Sequence, residues 1–426
     1  MKKALIISYY FPPYSGIEGN RCASWAKEFS KHGIFPVVVT RHWNLIPQEW
    51  KDYFKEDLRK AEITFNDNNR IIRLPYKLRP SFKIIKGTKN KFLSFGLYWV
   101  NKLVGNFHIE TGANFSFKGA LIELLKVEKF DMIIVTAPPV NIIKLGRALS
   151  KKFKIPLICD FRDLYDNDIL KKGYKPKFGM RINNSLFRYY LKRWLKKASL
   201  VTSVCWPMTE ILSRFSKGKT DVVYNGYEED LFDQLSGAEK NEKFTVSLVG
   251  NLYPKQDLDF MIDALKLFIT GKTEQEVQIN FIGIKNNKEV SDKISALLPA
   301  SFINVTHRIQ REEALQFIKS ADVLYYIGWP QYKGLFSGKI FEYLGARRNI
   351  LIAPSDHDAL ENLIKETKAG KTADTVEQMA EYLNQWFEEW KKNGMLSYYG
   401  DESKIRQFTR EEQARKFAEI IKQTLF

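Results

Sequence analysis

Leu335-Phe336-Ser337-Gly338-Lys339-Ile340-Phe341-Glu342-Tyr343-Leu344-Gly345-Ala346-Arg347-Arg348-Asn349-Ile350-Leu351-Ile352-Ala353-Pro354 is the stretch whose reading decides the fold. The small pair Ser337-Gly338 opens a helix that carries Lys339 and Glu342 on its first turns, and the helix runs through Gly345 into a strand, Asn349 to Ala353. Free backbone N–H groups and the dipole at a helix start favour an anion. Gly338 lets the backbone come close, and Lys339 adds a cation. One turn further in, Glu342 can accept hydrogen bonds from two hydroxyls. Diphosphate first and ribose diol second is the order of groups in a sugar nucleotide. Ile340, Phe341, Leu344 and Tyr343 would also make an ordinary amphipathic helix, so the segment has to be weighed against the rest of the chain.

Residues 1–40 predict a strand (Lys3 to Tyr9), a loop with prolines and glycines (Phe11 to Gly19), a helix (Arg21 to Lys31), a turn at His32-Gly33 and a second strand (Pro36 to Thr40). This is a βαβ unit, and its first loop lies at the carboxyl end of a parallel strand, where such units hold ligands. The carboxyl half opens the same way. Thr245 to Val249 is an apolar strand, Gly250 to Gln256 a turn, and Leu258 to Leu267 a helix with apolar spacing. Two more apolar strands, Asp131 to Thr136 and Pro156 to Cys159, end in Ala137-Pro138-Pro139 and in Asp160-Phe161-Arg162-Asp163-Leu164. The acid-base-acid run suits positioning of an acceptor; an internal ion pair that shapes the loop explains it equally well.

The stretch at 337–353 resembles the nucleotide-binding signature of GT-B glycosyltransferases, especially the retaining glycosyltransferase family 4, S-K-x-x-E-Y-L-A-A-G-K-P-I-x-A. Phe11-Pro12-Pro13-Tyr14-Ser15-Gly16, with Arg21 following, resembles the family's first-domain loop, Ser15 standing where the first of two glycines is usual. Gly250-Asn251 with Lys255-Gln256 and Leu258 resembles the G-N-x-x-x-K-Q-x-L pattern of one branch, in which the lysine contacts the donor diphosphate. Other branches carry arginine at the position of Asn251. Lys197 to Val204, Pro207 to Glu210 and Val222 to Tyr227 resemble the last strand and helix of the first domain and the passage into the second. Resemblance is weakest over residues 41–115. Gly334 stands where many members carry a second glutamate facing the sugar.

The resemblance implies an α/β, GT-B architecture: two Rossmann-like domains facing across a cleft, an acceptor domain at 1–225, a nucleotide-sugar donor domain at 226–405, and a final helix at 406–426 crossing back to the first. Lys255, Lys339 and Glu342 are the implied catalytic set, the lysines on the diphosphate and the glutamate on the ribose. Gly16, Gly250, Asn251, Ser337 and Gly338 would shape the donor site; Asp160, Arg162, Asp163 and Arg21 are the acceptor-side candidates. The implied reaction is transfer of a hexosyl group, with retention, to a hydroxyl of a glycan or polyprenyl-diphosphate-linked acceptor in bacterial surface polysaccharide synthesis. No resident cofactor or metal is expected, because helix-start amides and lysines can stabilise the leaving diphosphate. A nucleotide-sugar 2-epimerase of the same fold and a non-catalytic partner in a glycan-assembly complex are the alternatives.

Bulk properties set the remaining bounds. With 426 residues, 44% hydrophobic, the chain predicts two or three domains with real cores. It has no 18-residue apolar run, and Lys2-Lys3 lead straight into a strand, so neither export nor membrane spanning is expected. Cys22, Cys159 and Cys205 form no paired framework, and the five histidines show no ligand spacing. Charge is uneven: residues 1–200 hold 38 Lys and Arg against 16 Asp and Glu, residues 201–426 hold 29 against 33. A basic first half favours anionic lipid headgroups, and the expected location is the inner face of the cell membrane, peripheral and cytoplasmic. Lys83, Lys86, Lys89 and Lys91 beside Phe92, Phe95, Tyr98 and Trp99 suit that surface. A second basic helix, Arg181 to Lys197, carries Ile182, Leu186, Phe187, Tyr190, Leu191, Trp194 and Leu195 as a stripe expected to face the protein's own core. Nucleic acid is not expected as a partner, since no recognised motif accompanies the charge.

Overall fold

The computed structural model describes residues 1–14, 17–43, 55–164, 175, 177–235, 242–332, 334–335 and 337–426. They form two compact units, one built from the chain up to Tyr224 together with Gln413–Phe426, the other from Asn225–Glu412.

The first unit holds an eight-stranded sheet of β1 (Lys2–Ser8), β2 (Ile34–Arg41), β3 (Glu62–Phe65), β4 (Arg70–Leu74), β5 (Met132–Ala137), β6 (Leu157–Phe161), β7 (Leu200–Ser203) and β8 (Lys219–Val222). Their order is β3-β4-β2-β1-β5-β6-β7-β8. Only β3 runs antiparallel to its neighbour. The central strands are covered on both faces by helices. They therefore read as unbroken apolar runs, Leu5-Ile6-Ile7, Val37-Val38-Val39 and Ile133-Ile134-Val135, all buried. The edge pair β3–β4 lies in the segment where sequence resemblance is weakest; β3 is exposed along its whole length, and its pattern carries no core signal.

In the second unit β9 (Phe244–Val249), β10 (Val277–Ile282), β11 (Ile303–Val305), β12 (Val323–Tyr326), β13 (Asn349–Ile352) and β14 (Gly370–Thr372) make one parallel sheet ordered β11-β10-β9-β12-β13-β14. Each sheet thus starts in its middle, runs outward one way and then reverses. The reversal falls between β1 and β5 in one and between β9 and β12 in the other. At such a switch point the loops leave in opposite directions and open a crevice at the carboxyl ends of the strands. The loops after β1, β5, β9 and β12 are those that the sequence singles out.

Three helices bear on the expectations drawn from sequence. The last, Arg410–Leu425, begins in the second unit and packs its apolar stripe on the first, where Ala414, Phe417, Ala418, Ile420 and Ile421 join the core around Trp25 and Phe29. The ring of Phe417 lies 4.9 Å from Trp25 and 5.8 Å from Phe29. The helix Phe178–Leu195 buries Phe187, Leu191, Trp194 and Leu195, as its stripe predicts, but Ile182 is exposed together with Phe178 and Met180. Its first two turns extend past the core they would need to cover. The helix Lys91–Leu103 also departs from a core-facing arrangement: Phe92, Phe95, Val100 and Leu103 are all exposed, and Phe92 reaches 90%. No helix among the described residues is long and apolar enough to cross a membrane.

Truncation of Phe417 to alanine removes a buried aromatic from the one helix that ties the chain's end to the first unit. The expected cost is about 3–5 kcal/mol, read as a lower denaturation midpoint in urea; a midpoint unchanged from wild type would show that the helix does not contribute to the first unit's core.

Candidate functional site

The second unit's switch point is built from three segments. β9 and β12 pair only at Val323↔Val246 and Leu324↔Ser247, after which the strands separate. Tyr343, on the helix Lys339–Ala346, fills the gap: the amide of Val249 donates to its hydroxyl at 2.9 Å, and the hydroxyl faces the carbonyl of Tyr325 at 3.5 Å. Burial raises the pKa of this phenol, so it keeps its proton and can serve as both acceptor and donor. A residue that the sequence presents as part of an apolar stripe is a polar wedge that holds the crevice open.

The loops on either side of that wedge are tied to each other. Gln256 donates to the carbonyl of Ile327 at 3.4 Å, and Gln331 to the carbonyl of Lys255 at 3.3 Å. Lys339 donates to the carbonyl of Asn251 at 2.6 Å. Gly250 makes the last contact possible. Its φ is +92°, and a Cβ there would stand 2.8 Å from Cε of Lys339. Any side chain would be strained and would push the lysine away. Lys339 is half-buried, and desolvation pulls its pKa down to about 8, with Glu342 acting in the opposite direction.

Ser337 and Gly338 precede the helix, with Gly338 at its cap position, and the hydroxyl of Tyr326 donates to Oγ of Ser337 at 3.0 Å. The amides of the first turn have no intrahelical acceptor. Glu342 lies in that turn and meets Nη2 of Arg311 at 3.4 Å. Gly250, Asn251, Ser337, Gly338, Lys339 and Glu342 therefore sit on adjoining segments around one crevice. Lys255 is in the same loop as Gly250, exposed to solvent. Gly334, where a second acid is absent, has φ of +52° and donates its amide to Oδ2 of Asp358 at 3.0 Å. Sequence reading missed Tyr343, Tyr326, Arg311 and Asp358, because each acts through a partner distant in the chain.

The first unit's candidates divide differently. Gly16 lies outside the described residues. Asp160 and Arg21 are buried and bonded to each other, Nε to Oδ2 at 3.0 Å and Nη2 to Oδ1 at 2.7 Å. Thr136 and Thr202 each donate a further hydrogen bond to the carboxylate, and Nη1 of Arg21 donates to the carbonyl of Tyr224 at 2.7 Å. With four donors on its two oxygens and no exposed surface, Asp160 has nothing left to offer an acceptor. The acceptor-side expectation for Asp160 and Arg21 is corrected: the pair is an internal latch across the first helix, three strands and the chain just before the second unit. Arg162 is buried too, stacked 5.4 Å from the ring of Tyr10 and bonded through Nη2 to the carbonyl of Pro138. Among the described residues its Nε and Nη1 have no hydrogen-bond partner. Asp163 is exposed. No group of three or more His, Cys, Asp or Glu among the described residues could hold a metal ion.

Comparison with known proteins agrees with this architecture. Residues 95–231 match the family model described as Glycosyltransferase Family 4. Among curated proteins, none matches the chain. Solved structures of similar fold include the sucrose-phosphate synthase of Thermosynechococcus elongatus, at TM-score 0.64, 13% identity and 99% of each chain. The Anabaena protein Alr3699/HepE in complex with UDP and glucose aligns at TM-score 0.58 and 14% identity over 99% of this chain and 100% of that one. An α,α-trehalose-phosphate synthase (UDP-forming) from Burkholderia vietnamiensis aligns at 0.61 and 10% identity over 100% of this chain and 99% of that one. At these identities the likeness establishes the fold, which is GT-B.

Lys339 carries its charge below about pH 8 and loses it above. The affinity ratio of wild type to Lys339→Met for inorganic diphosphate, measured by calorimetry, is therefore expected to be largest at pH 7 and to shrink toward one by pH ~9.5. A ratio that stays constant over this range would remove Lys339 as the titrating cation of the crevice.

Proposed function

We propose that this chain, which has the GT-B fold and matches the Glycosyltransferase Family 4 model over residues 95–231, is a glycosyltransferase that transfers a hexosyl group from a nucleotide diphosphate sugar, with retention, to an acceptor hydroxyl in bacterial surface polysaccharide synthesis. One observation carries the donor half of this reading: Lys339, the open helix start at Ser337-Gly338 and Glu342 converge at the β9/β12 switch point, the lysine held there by the carbonyl of Asn251. The diphosphate would take the first-turn amides and Lys339, with Lys255 approaching from the opposite loop. Glu342, one turn in, would accept the ribose hydroxyls. As the glycosidic bond breaks, negative charge grows on the diphosphate, and groups already aimed at it lower the barrier without reorganising. This donor set consists of amides and lysines, so the proposed chemistry calls for no resident cofactor or metal. Two of the similar structures are described with UDP, bound or formed, which makes UDP the first nucleotide to try.

The acceptor half rests on the first unit. Exposed Phe92, Phe95 and Leu103 on the helix Lys91–Leu103, with Lys83, Lys86, Lys89 and Lys91 beside them, form an apolar face edged with positive charge. Such a face suits an anionic membrane, with each basic residue near the surface worth about 1 kcal/mol. A polyprenyl-diphosphate-linked glycan would be presented there. A soluble sugar phosphate is the second reading, favoured by the similar synthases that are named for sugar phosphate products. The unused donors of Arg162 suit the anionic group of either acceptor.

Thermal stabilisation by UDP, GDP, dTDP and their sugars tests the donor site, because a ligand that binds only the native state raises the melting temperature. One nucleotide should stabilise wild type, and Glu342→Ala should lose about 1.5–3 kcal/mol of that binding. A folded mutant with undiminished affinity would sink the ribose assignment.

Co-sedimentation with vesicles tests the membrane. The protein should pellet with phosphatidylglycerol vesicles and not with phosphatidylcholine, and the double substitution Phe92→Ser, Phe95→Ser should abolish it. Absence of binding to either lipid, with activity on a soluble sugar phosphate, would establish the second reading.

A further inference from the structure

Glu342 does not stand alone in the second unit. Arg311, the first residue of the helix Arg311–Ser320, extends its two terminal nitrogens to different carboxylates: Nη2 to Oε1 of Glu342 at 3.4 Å and Nη1 to Oε2 of Glu228 at 3.2 Å. Glu228 is in turn held by Arg410, whose Nη1 lies 2.8 Å from the same Oε2. Arg410 is buried, and its amide donates to the carbonyl of Tyr227 at 2.7 Å, which places its backbone beside Glu228. The four side chains form an alternating row, Arg410, Glu228, Arg311, Glu342, buried at the Arg410 end and partly exposed at Glu342.

The row reaches the crevice from both segments by which the chain passes between its units. Tyr227 bridges Thr409, and the amide of Tyr227 donates to the carbonyl of Phe408 at 3.0 Å. The helix that bears Glu342 is pinned to the same pair of segments. Phe341 packs against Phe408 at 5.6 Å, and Gly345 lies so close to Tyr227 and Phe232 that a Cβ would come within 2.7 Å of both rings. Backbone packing thus sets where Glu342 begins, and the charge row sets where its carboxylate ends.

We propose that Arg311 is a positioning residue for nucleotide recognition: by holding one carboxylate oxygen of Glu342 it aims the other at the ribose diol and so sets the preference for ribose over 2′-deoxyribose. This rests on the reading of Glu342 as the ribose ligand. A free glutamate has three rotatable bonds, and ordering it on ligand binding costs affinity. An arginine already anchored on Glu228 removes that cost before the ligand arrives. The planar fork matters, because a lysine is a point charge and cannot span two carboxylates.

The test is calorimetry on the full chain with matched pairs, UDP and 2′-deoxy-UDP, GDP and 2′-deoxy-GDP, with inorganic diphosphate as control. Wild type should prefer the ribonucleotide of its pair by about tenfold or more. Arg311→Gln should bring that preference to within about threefold while leaving diphosphate affinity unchanged, and Arg311→Lys should restore it only in part. In a Glu342→Ala background, Arg311→Gln should have no further effect on the ratio, which a merely structural role would not produce. A wild-type preference that persists in folded Arg311→Gln or is fully restored by Arg311→Lys overturns the inference alone. Wild type that binds neither nucleotide of any pair overturns the donor-site reading and the inference with it.

Discussion

The contact between Lys339 and the carbonyl of Asn251 depends on a missing side chain, and much of the second unit is arranged around it. Gly250 takes a backbone conformation open to few other residues and leaves the space that the lysine stem occupies. The lysine then bridges the loop after β9 to the helix after β12, and Tyr343 keeps the two strands apart beneath it. A cation brought into a crevice and partly stripped of water is a costly arrangement in a free protein. It becomes favourable when an anion arrives. The depressed pKa of Lys339 records that loss of water, which the charge of Glu342 offsets only in part.

The first unit shows the opposite use of charge. Arg21 and Asp160 are fully desolvated, yet every nitrogen of the one and both oxygens of the other have a partner: two bonds between them, two threonine hydroxyls and one carbonyl. A buried pair so complete is expensive to break and has no valence for a ligand. Arg162, two residues on, has one carbonyl partner among the described residues and donors to spare there. Within three residues of one loop the chain thus places a structural ion pair and an unsatisfied guanidinium. The distinction lies in hydrogen-bond bookkeeping and not in residue type.

Much of the architecture was legible because parallel strands buried on both faces must be continuous apolar runs, and because prolines, glycines and small polar residues mark where each run stops. β1, β2, β5, β6, β9 and β13 stand within a residue or two of the stretches read from sequence, and the last helix, Arg410–Leu425, lies within the expected 406–426. The edge strand β3 was not legible, since a solvent-covered strand carries no core pattern. The helix Phe178–Leu195 was read in its apolar stripe but not in its exposed start, because a stripe shows which face is apolar and not how far the neighbouring core extends.

By itself the sequence determined the two βαβ beginnings, the helix start at Ser337-Gly338-Lys339 and the residue types needed for a diphosphate and a diol, since these follow from local periodicity and from chemistry carried by neighbours in the chain. Tertiary structure alone decided which of these residues meet. It closed Asp160 onto Arg21 across 139 positions and brought Arg311 and Glu228 to Glu342. It also turned Tyr343 from a core residue into a wedge. Pairings of this kind depend on strand order and on the divergence of β9 from β12, and neither is a property of any short stretch of chain.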